Sequence, residues 1–183
     1  VNVGLKKIKN NHQENYQETL PLNKINQRDN LDQVFPNMDR AIEKTINVIV
    51  RHSMEINGEE KNQWIDDNYF LMAQARFYKK EYLASLNTFK HVIRAYPKSK
   101  LINKALIWSA ECDVRLENFQ TAERTLQYLL NDNKNITKQE YIHANQVMAT
   151  IEMNKGSIKQ ATKLLVKSLE NNNNRDQKAR THF

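Results

Sequence analysis

Hydrophobic residues recur along most of the chain with the three- and four-residue spacing of amphipathic helices. From residue 66 onward the predicted helices come in pairs. A polar break at residues 79–81 separates the two helices of the first pair, and Pro97 closes the second helix. The apolar face of that second helix consists of Tyr82, Ser85, Leu86, Phe89, Val92 and Ile93. The pattern therefore predicts an antiparallel helix pair over residues 66–97.

The same arrangement recurs twice further along the chain. The first apolar residues after the breaks are Tyr82, Phe119 and Ile158, with separations of 119 − 82 = 37 and 158 − 119 = 39 residues. A tetratricopeptide repeat has about 34 residues, and longer loops between the units account for the excess. Small residues such as Ala73 and Ala110 would let paired helices approach closely. The recurrence resembles a tetratricopeptide array.

The sequence thus predicts an all-α fold, a tetratricopeptide-like α-solenoid of antiparallel helix pairs. Each pair leaves one apolar face bare, so the units must stack. In the N-terminal helical lead-in we expect a helix to run to about Ile56 and to stop at Asn57 and Gly58. The predicted divisions are a lead-in at 1–65, repeats within 66–177 (66–97, 103–132 and 142–172), and the truncated start of a further helix at 178–183.

Composition and charge narrow the functional classes. The 183 residues include only three Gly and three Pro, which favours helices, and no apolar run approaches the roughly 18 residues of a membrane span. The net charge is +7, but the Lys and Arg residues are scattered along the chain with acidic residues between them. This distribution is typical of a solvated helix surface. RNA binding stays an alternative because Arg76, Lys79 and Lys80 lie among aromatic residues that could stack on bases.

Catalytic and metal-binding patterns are weak. The sequence has no Gly-rich phosphate loop and no paired cysteines. An enzyme would require His52, Glu55 and Asp66 to converge, or Cys112 to meet His91 or His143. Cys112 is better explained as a small buried hydrophobe. We therefore expect a non-enzymatic protein with no catalytic residue, no metal and no cofactor.

The resemblance to tetratricopeptide repeats implies a concave binding surface lined by the first helix of each pair. In the first unit these positions are Asp67, Phe70, Gln74, Phe77 and Tyr78. In the second unit they are Lys104, Ile107, Glu111, Val114 and Arg115. In the third unit they are His143, Gln146, Thr150, Met153 and Asn154. The Lys/Asn carboxylate clamp of chaperone-binding members is not reproduced, and a mixed, partly apolar groove suits a segment of another protein. Polar substitution of Phe70, Phe77 and Tyr78 should then weaken partner capture without unfolding the array.

A closer resemblance rests on four stretches that a generic repeat does not contain. They are FPNMDRAIEK at 35–44, RHSMEING at 51–58, WIDDNY at 64–69 and FYKKEYLASLNTF at 77–89. They resemble the N-terminal region of the SprE/PorW family, tetratricopeptide lipoproteins of gliding motility and type IX secretion in Bacteroidota. The resemblance weakens after about residue 130.

This resemblance implies an accessory, non-enzymatic role that links the ring of the secretion machinery to the translocon. It also implies an outer-membrane lipoprotein that faces the periplasm and is anchored through a cysteine upstream of Val1, so we interpret the chain as part of a longer protein. The expected partners are ring and translocon proteins, without nucleic acid. The alternatives are a cytoplasmic tetratricopeptide adaptor and an RNA-binding helical-repeat protein.

Overall fold

The computed structural model describes residues 35–132 and 135–170, which form seven α-helices and one short β-hairpin. The helices are α1 (Phe35–His52), α2 (Ile65–Tyr78), α3 (Tyr82–Ala95), α4 (Ile102–Arg115), α5 (Phe119–Asp132), α6 (Lys138–Asn154) and α7 (Ile158–Glu170). The hairpin consists of β1 (Glu55–Ile56) and β2 (Glu59–Glu60). The predicted helix at 178–183 and the first 34 residues of the lead-in lie outside the described residues.

Successive helices pack against each other along the chain, and the first helices of successive pairs also touch, α2 against α4 and α4 against α6. The second helices begin at Tyr82, Phe119 and Ile158, the positions that the sequence predicts. Helix α1 packs on α2 as α3 packs on α4, so it stands where the second helix of a preceding pair would stand. The predicted all-α helical-repeat fold is confirmed.

Two hydrophobic cores lie between the helices, and α4 contributes to both. The first core joins α1 to α4 and contains Phe77, Phe89, Val92 and Cys112. The second core joins α4 to α6 and contains Ile107, Leu126 and Ile151. Side chains on opposite faces of α4 thus pack into different cores, so few residues of this helix are exposed.

The small residues predicted at the helix contacts are buried in all three pairs. They are Ala73 and Ser85, Ala110 and Ala122, and Ala149 and Ala161, each at most 2% exposed. In the first pair the Ser85 hydroxyl donates a hydrogen bond of 2.8 Å to the carbonyl oxygen of Ala73. A side chain as short as serine can reach the facing backbone only where the two helices lie very close.

The turn inside each pair has one geometry, the Schellman motif. A left-handed residue follows each first helix, namely Lys80 (φ 63°), Glu117 (φ 62°) and Gly156 (φ 80°). The next amide closes a six-residue ring, with bonds from Glu81 to Arg76 (3.0 Å), from Asn118 to Asp113 (2.8 Å) and from Ser157 to Glu152 (2.8 Å). The turns therefore repeat at the separations of 37 and 39 residues seen in the sequence.

Only one of the three turns has glycine at the left-handed position, and this predicts opposite effects of two substitutions. Glu117→Gly should raise the free energy of unfolding by about 0.5–1 kcal/mol, because it removes a steric cost of about 1–2 kcal/mol and adds the smaller entropic cost of glycine. Gly156→Ala should lower the free energy of unfolding by about 1 kcal/mol. An added Cβ at Gly156 meets no atom within 4 Å, so the cost comes from the backbone. Urea denaturation measures both, and effects of the same sign would contradict this account.

The predicted helix stop at Asn57 and Gly58 is wrong. Helix α1 ends at His52, and the two residues instead form the turn of the β-hairpin, with φ 54° and 76°. Left-handed Asn-Gly pairs suit two-residue hairpins because their twist matches that of the strands. The Glu60 carboxylate stabilises this arrangement by accepting hydrogen bonds from the Ser53 hydroxyl and, at 2.8 Å, from the Met54 amide.

The third pair begins earlier than predicted, at Lys138 rather than at residue 142. A capping box explains the difference. The Thr137 hydroxyl accepts a hydrogen bond from the Glu140 amide (3.3 Å), and the Glu140 carboxylate accepts one from the Thr137 amide (2.8 Å). The added turn of α6 brings Glu140 to the same face as His143.

Candidate partner-binding groove

The three first helices α2, α4 and α6 lie side by side and form an open groove of about 530 Å³. Every first helix contributes side chains to it, and they mix aromatic, aliphatic, amide and charged groups. The lining residues are Phe70, Gln74 and Tyr78 from α2, Lys104, Ile107 and Trp108 from α4, and Gln139, Glu140, Ile142, His143 and Gln146 from α6. The groove is thus a joint product of all three repeats.

Seven of the fifteen residues predicted for the concave surface line this groove. They are Phe70, Gln74, Tyr78, Lys104, Ile107, His143 and Gln146. The prediction missed Trp108, Gln139, Glu140 and Ile142. A signal was available for two of them, because the capping-box pattern TKQE at 137–140 extends α6 past Gln139 and Glu140. Trp108 follows the predicted Ile107. Both residues line the groove, but Ile107 is fully buried and belongs to the second core.

The assignment of Phe77 to the binding surface is wrong. Its side chain is 1% exposed and packs edge-on against Tyr78, Tyr82 and Trp108, with ring centroids 5.8, 5.3 and 5.1 Å away. Phe77 supports the groove from below rather than facing a partner. A polar side chain there would disrupt the first core, so the predicted triple substitution would not leave the array folded.

The other predicted residues lie outside the groove lining. Val114 is buried in the second core, and Glu111 is also buried. Four of the remaining residues lie along the C-terminal turns of α4 and α6, where they are partly or fully exposed, namely Arg115, Thr150, Met153 and Asn154. Asp67 lies in the first turn of α2 and is partly exposed. Burial raises the pKa of Asp67, neighbouring Asp66 adds to the rise, and Lys104 opposes it.

An aromatic row crosses the groove, with one ring from each first helix. The centroids of Tyr78 and Trp108 are 5.9 Å apart, and those of Trp108 and His143 are 5.5 Å apart, both with steeply inclined planes. Phe89 stacks behind Trp108 at 6.0 Å and fixes the indole from the core side. Tyr78 and Trp108 thus place an aromatic surface at the centre of the groove, and His143 borders it.

A buried carboxylate contacts the His143 end of this row. Glu111 is 3% exposed and lies one helical turn beyond Trp108 on the same face of α4. Its Oε2 lies 3.0 Å from Nε2 of His143, whereas its Oε1 is buried and has no hydrogen-bond partner among the described residues. Burial raises the pKa of the Tyr78 hydroxyl, and the nearby Glu111 charge raises it further, so Tyr78 stays neutral at physiological pH.

The residues considered for catalysis or metal binding do not converge. Among the described residues, no group of three or more His, Cys, Asp or Glu side chains could hold a metal ion. Cys112 is buried, and its thiol donates a 3.4 Å hydrogen bond to the Ser85 hydroxyl. His91 packs against the rings of Tyr69 and Tyr96 at 4.5 and 5.9 Å. His143 is engaged with Glu111 instead of Cys112.

Fold and groove together define a helical-repeat protein with a groove lined by its first helices. Comparison of the chain with protein-family models and with curated proteins finds no match in either case. None of the helices within residues 35–132 and 135–170 has the length and apolar character needed to cross a membrane.

Proposed function

We propose that this protein is a non-enzymatic scaffold that holds a segment of a partner protein in the groove. The groove itself is the observation that carries this proposal, since three consecutive repeats supply its lining. Its mixed apolar and polar lining resembles the composition of sites that bind extended or helical segments of other proteins. Tyr78 and Trp108 supply aromatic contacts of the kind that dominate binding energy in such interfaces.

Within that class, we propose an accessory role in type IX protein secretion and gliding motility. The support is the resemblance of residues 35–44, 51–58, 64–69 and 77–89 to the SprE/PorW family. These stretches cover the two ends of α1, the first strand and turn of the hairpin, the two ends of α2 and the first half of α3. The protein would then be a lipoprotein at the periplasmic face of the outer membrane, with ring and translocon components as partners.

Site-specific photocrosslinking of the full-length protein in cells tests this function. A photoreactive amino acid is placed at Gln146, which lines the groove, or at Gln120, an exposed residue of the same type on the second helix α5. We expect Gln146 to crosslink ring or translocon proteins at least about tenfold more efficiently than Gln120, because contact with a bound partner is limited to the groove. Mass spectrometry of the crosslinked species identifies the partner.

Deletion of residues 35–170 provides the complementary measurement. Affinity purification from a membrane fraction should lose the secretion-machinery partners when this region is absent. Their retention would show that the binding surface lies elsewhere. Crosslinks from Gln120 alone would contradict the assignment of the groove as the binding surface. Crosslinks only to cytoplasmic proteins or to RNA would contradict the family assignment and favour an adaptor or an RNA-binding protein.

A further inference from the structure

We propose that the groove recognises an arginine side chain of the bound segment, whose guanidinium group pairs with the Glu111 carboxylate and stacks on Trp108. This inference rests on the proposed function and specifies the chemistry of the partner. Three features carry it, namely an incompletely paired buried carboxylate, an aromatic row that the carboxylate contacts through His143, and the absence of a Lys or Arg partner for that carboxylate among the described residues.

The first feature is the carboxylate itself. Burying a charged group is costly unless its hydrogen bonds are satisfied, and buried side-chain oxygens in proteins nearly always have partners. Glu111 satisfies Oε2 through His143 but leaves Oε1 without one. Such a group is costly in the free protein and is well matched to a ligand that donates a charged hydrogen bond.

The second feature is the aromatic surface beside the carboxylate. A guanidinium group stacks on aromatic faces and donates hydrogen bonds in its own plane, a combination that lysine cannot offer. Trp108, which lies one turn from Glu111, is the best ring for this purpose and is held by Phe77 and Phe89. An arginine lying against the row can therefore stack and reach the carboxylate at the same time.

The third feature is that the neighbouring charges have other engagements. Arg115, one turn along α4, is exposed and forms no ion pair with Glu111. Glu140, a carboxylate that lines the groove, already accepts a hydrogen bond from the Thr137 amide and lies 3.5 Å from the side-chain nitrogen of Asn103. Lys104 is exposed and lies close enough to Asp67 to affect its titration. Glu111 is therefore the carboxylate with which a cation from the bound segment would pair.

Access to Oε1 requires a side chain to move, because this oxygen is closed off from solvent in the free protein. The His143 side chain is 26% exposed, lines the groove, contacts Glu111 through Nε2 and packs edge-on against Trp108. Rotation of such interface side chains on binding is common. His143 thus acts as a placeholder that the arginine displaces.

Titration of the 1–183 chain with blocked tripeptides tests the inference. The probes are acetyl-Gly-Arg-Gly-amide and its citrulline counterpart, which has nearly the same shape but no charge. Binding is followed by the NMR signal of the Trp108 indole N–H, which Trp64→Phe identifies by removing the other tryptophan signal. We expect the arginine peptide to bind at least about tenfold more tightly than the citrulline peptide, the usual scale for losing a charge-assisted hydrogen bond.

Glu111→Gln should weaken arginine binding at least about tenfold. Glu43→Gln, an exposed position on α1, removes the same charge away from the groove and should leave binding unchanged. His143→Ala should preserve or strengthen binding because it frees the carboxylate. Equal binding of the citrulline peptide to the native chain overturns the inference, even if Glu111→Gln fails to fold. Loss of binding in His143→Ala overturns the placeholder role.

Crosslinking of the partner from Gln146 separates this inference from the proposed function. If Glu111→Gln still crosslinks ring or translocon proteins as efficiently as the native protein, the scaffold function stands and the arginine subsite is overturned. If the native chain selects the arginine peptide but crosslinks no partner protein, the subsite stands and the scaffold function is overturned.

Discussion

Phe77→Ala is expected to lower the free energy of unfolding by about 3–5 kcal/mol, the usual cost of truncating a fully buried aromatic side chain. Phe77 is 1% exposed and touches three other rings, so the truncation removes edge-to-face contacts and leaves a cavity under the groove. Domains of this size are stable by about 5–15 kcal/mol, and the variant would therefore approach the limit of folding. Urea denaturation followed by helical circular dichroism measures the change.

Trp64→Ala is the matched control. Trp64 is a larger aromatic residue that is 63% exposed just before α2, and its truncation should change the free energy of unfolding by no more than about 0.5 kcal/mol. A loss of unfolding free energy for Phe77→Ala as small as that for Trp64→Ala would show that Phe77 does not lie in the core. A stable Phe77→Ala that fails to crosslink its partner would restore Phe77 to the binding surface.

The Cys112 thiol should react about 1000-fold more slowly in the native protein than in the unfolded chain. Burial raises the pKa of this thiol to about 12, against a partial lowering by the hydrogen bond to Ser85. An unfolded cysteine has a pKa of about 8.5, and only the thiolate attacks alkylating reagents. Rates of iodoacetamide labelling at pH 8, with and without urea, measure the ratio. A ratio below about ten would contradict the burial of Cys112.

The same shift fixes how stability depends on pH. The native pKa is raised, so the unfolded chain loses its thiol proton first and the native state is penalised as the pH rises from about 8.5 toward 12. The stability that Cys112 provides is fully present below about pH 8.5. Cys112→Ala should therefore lose less stability than the native chain over this alkaline range. Tyrosines shifted in the same direction, such as Tyr96, affect both proteins equally and cancel in the comparison.

The helix pairs could be predicted from the sequence because their determinants are local. Polar breaks followed by Tyr82, Phe119 and Ile158 mark where each second helix begins, and the regular separations mark the repeat. The C-terminal boundary of α1 and the N-terminal boundary of α6 were harder to predict. Asn57 and Gly58 are compatible with both a helix stop and a hairpin turn, and the hydrogen bonds of Glu60 to Ser53 and Met54 accompany the hairpin.

The groove could be predicted only in part because it depends on the rotation of each helix against its neighbours. Spacing along α2 places Phe70 and Phe77 two turns apart on one side, yet Phe70 lines the groove and Phe77 faces three aromatic rings. The pairing of Glu111 with His143 joins residues 32 positions apart on different helices. No local pattern in the sequence indicates such a contact, and the predicted concave surface included both residues without pairing them.

The double role of α4 has a consequence for how the array responds to load. One face of this helix supplies Ala105 and Cys112 to the first core, and another supplies Ile107 and Ala110 to the second. Because the two cores share α4, separating the helices of one core exposes residues of the other. We therefore expect the central repeats to resist force together and not one by one. The groove rests on this same helix. A partner seated there would brace both cores at once, and tension passed through the partner would be shared by the central repeats.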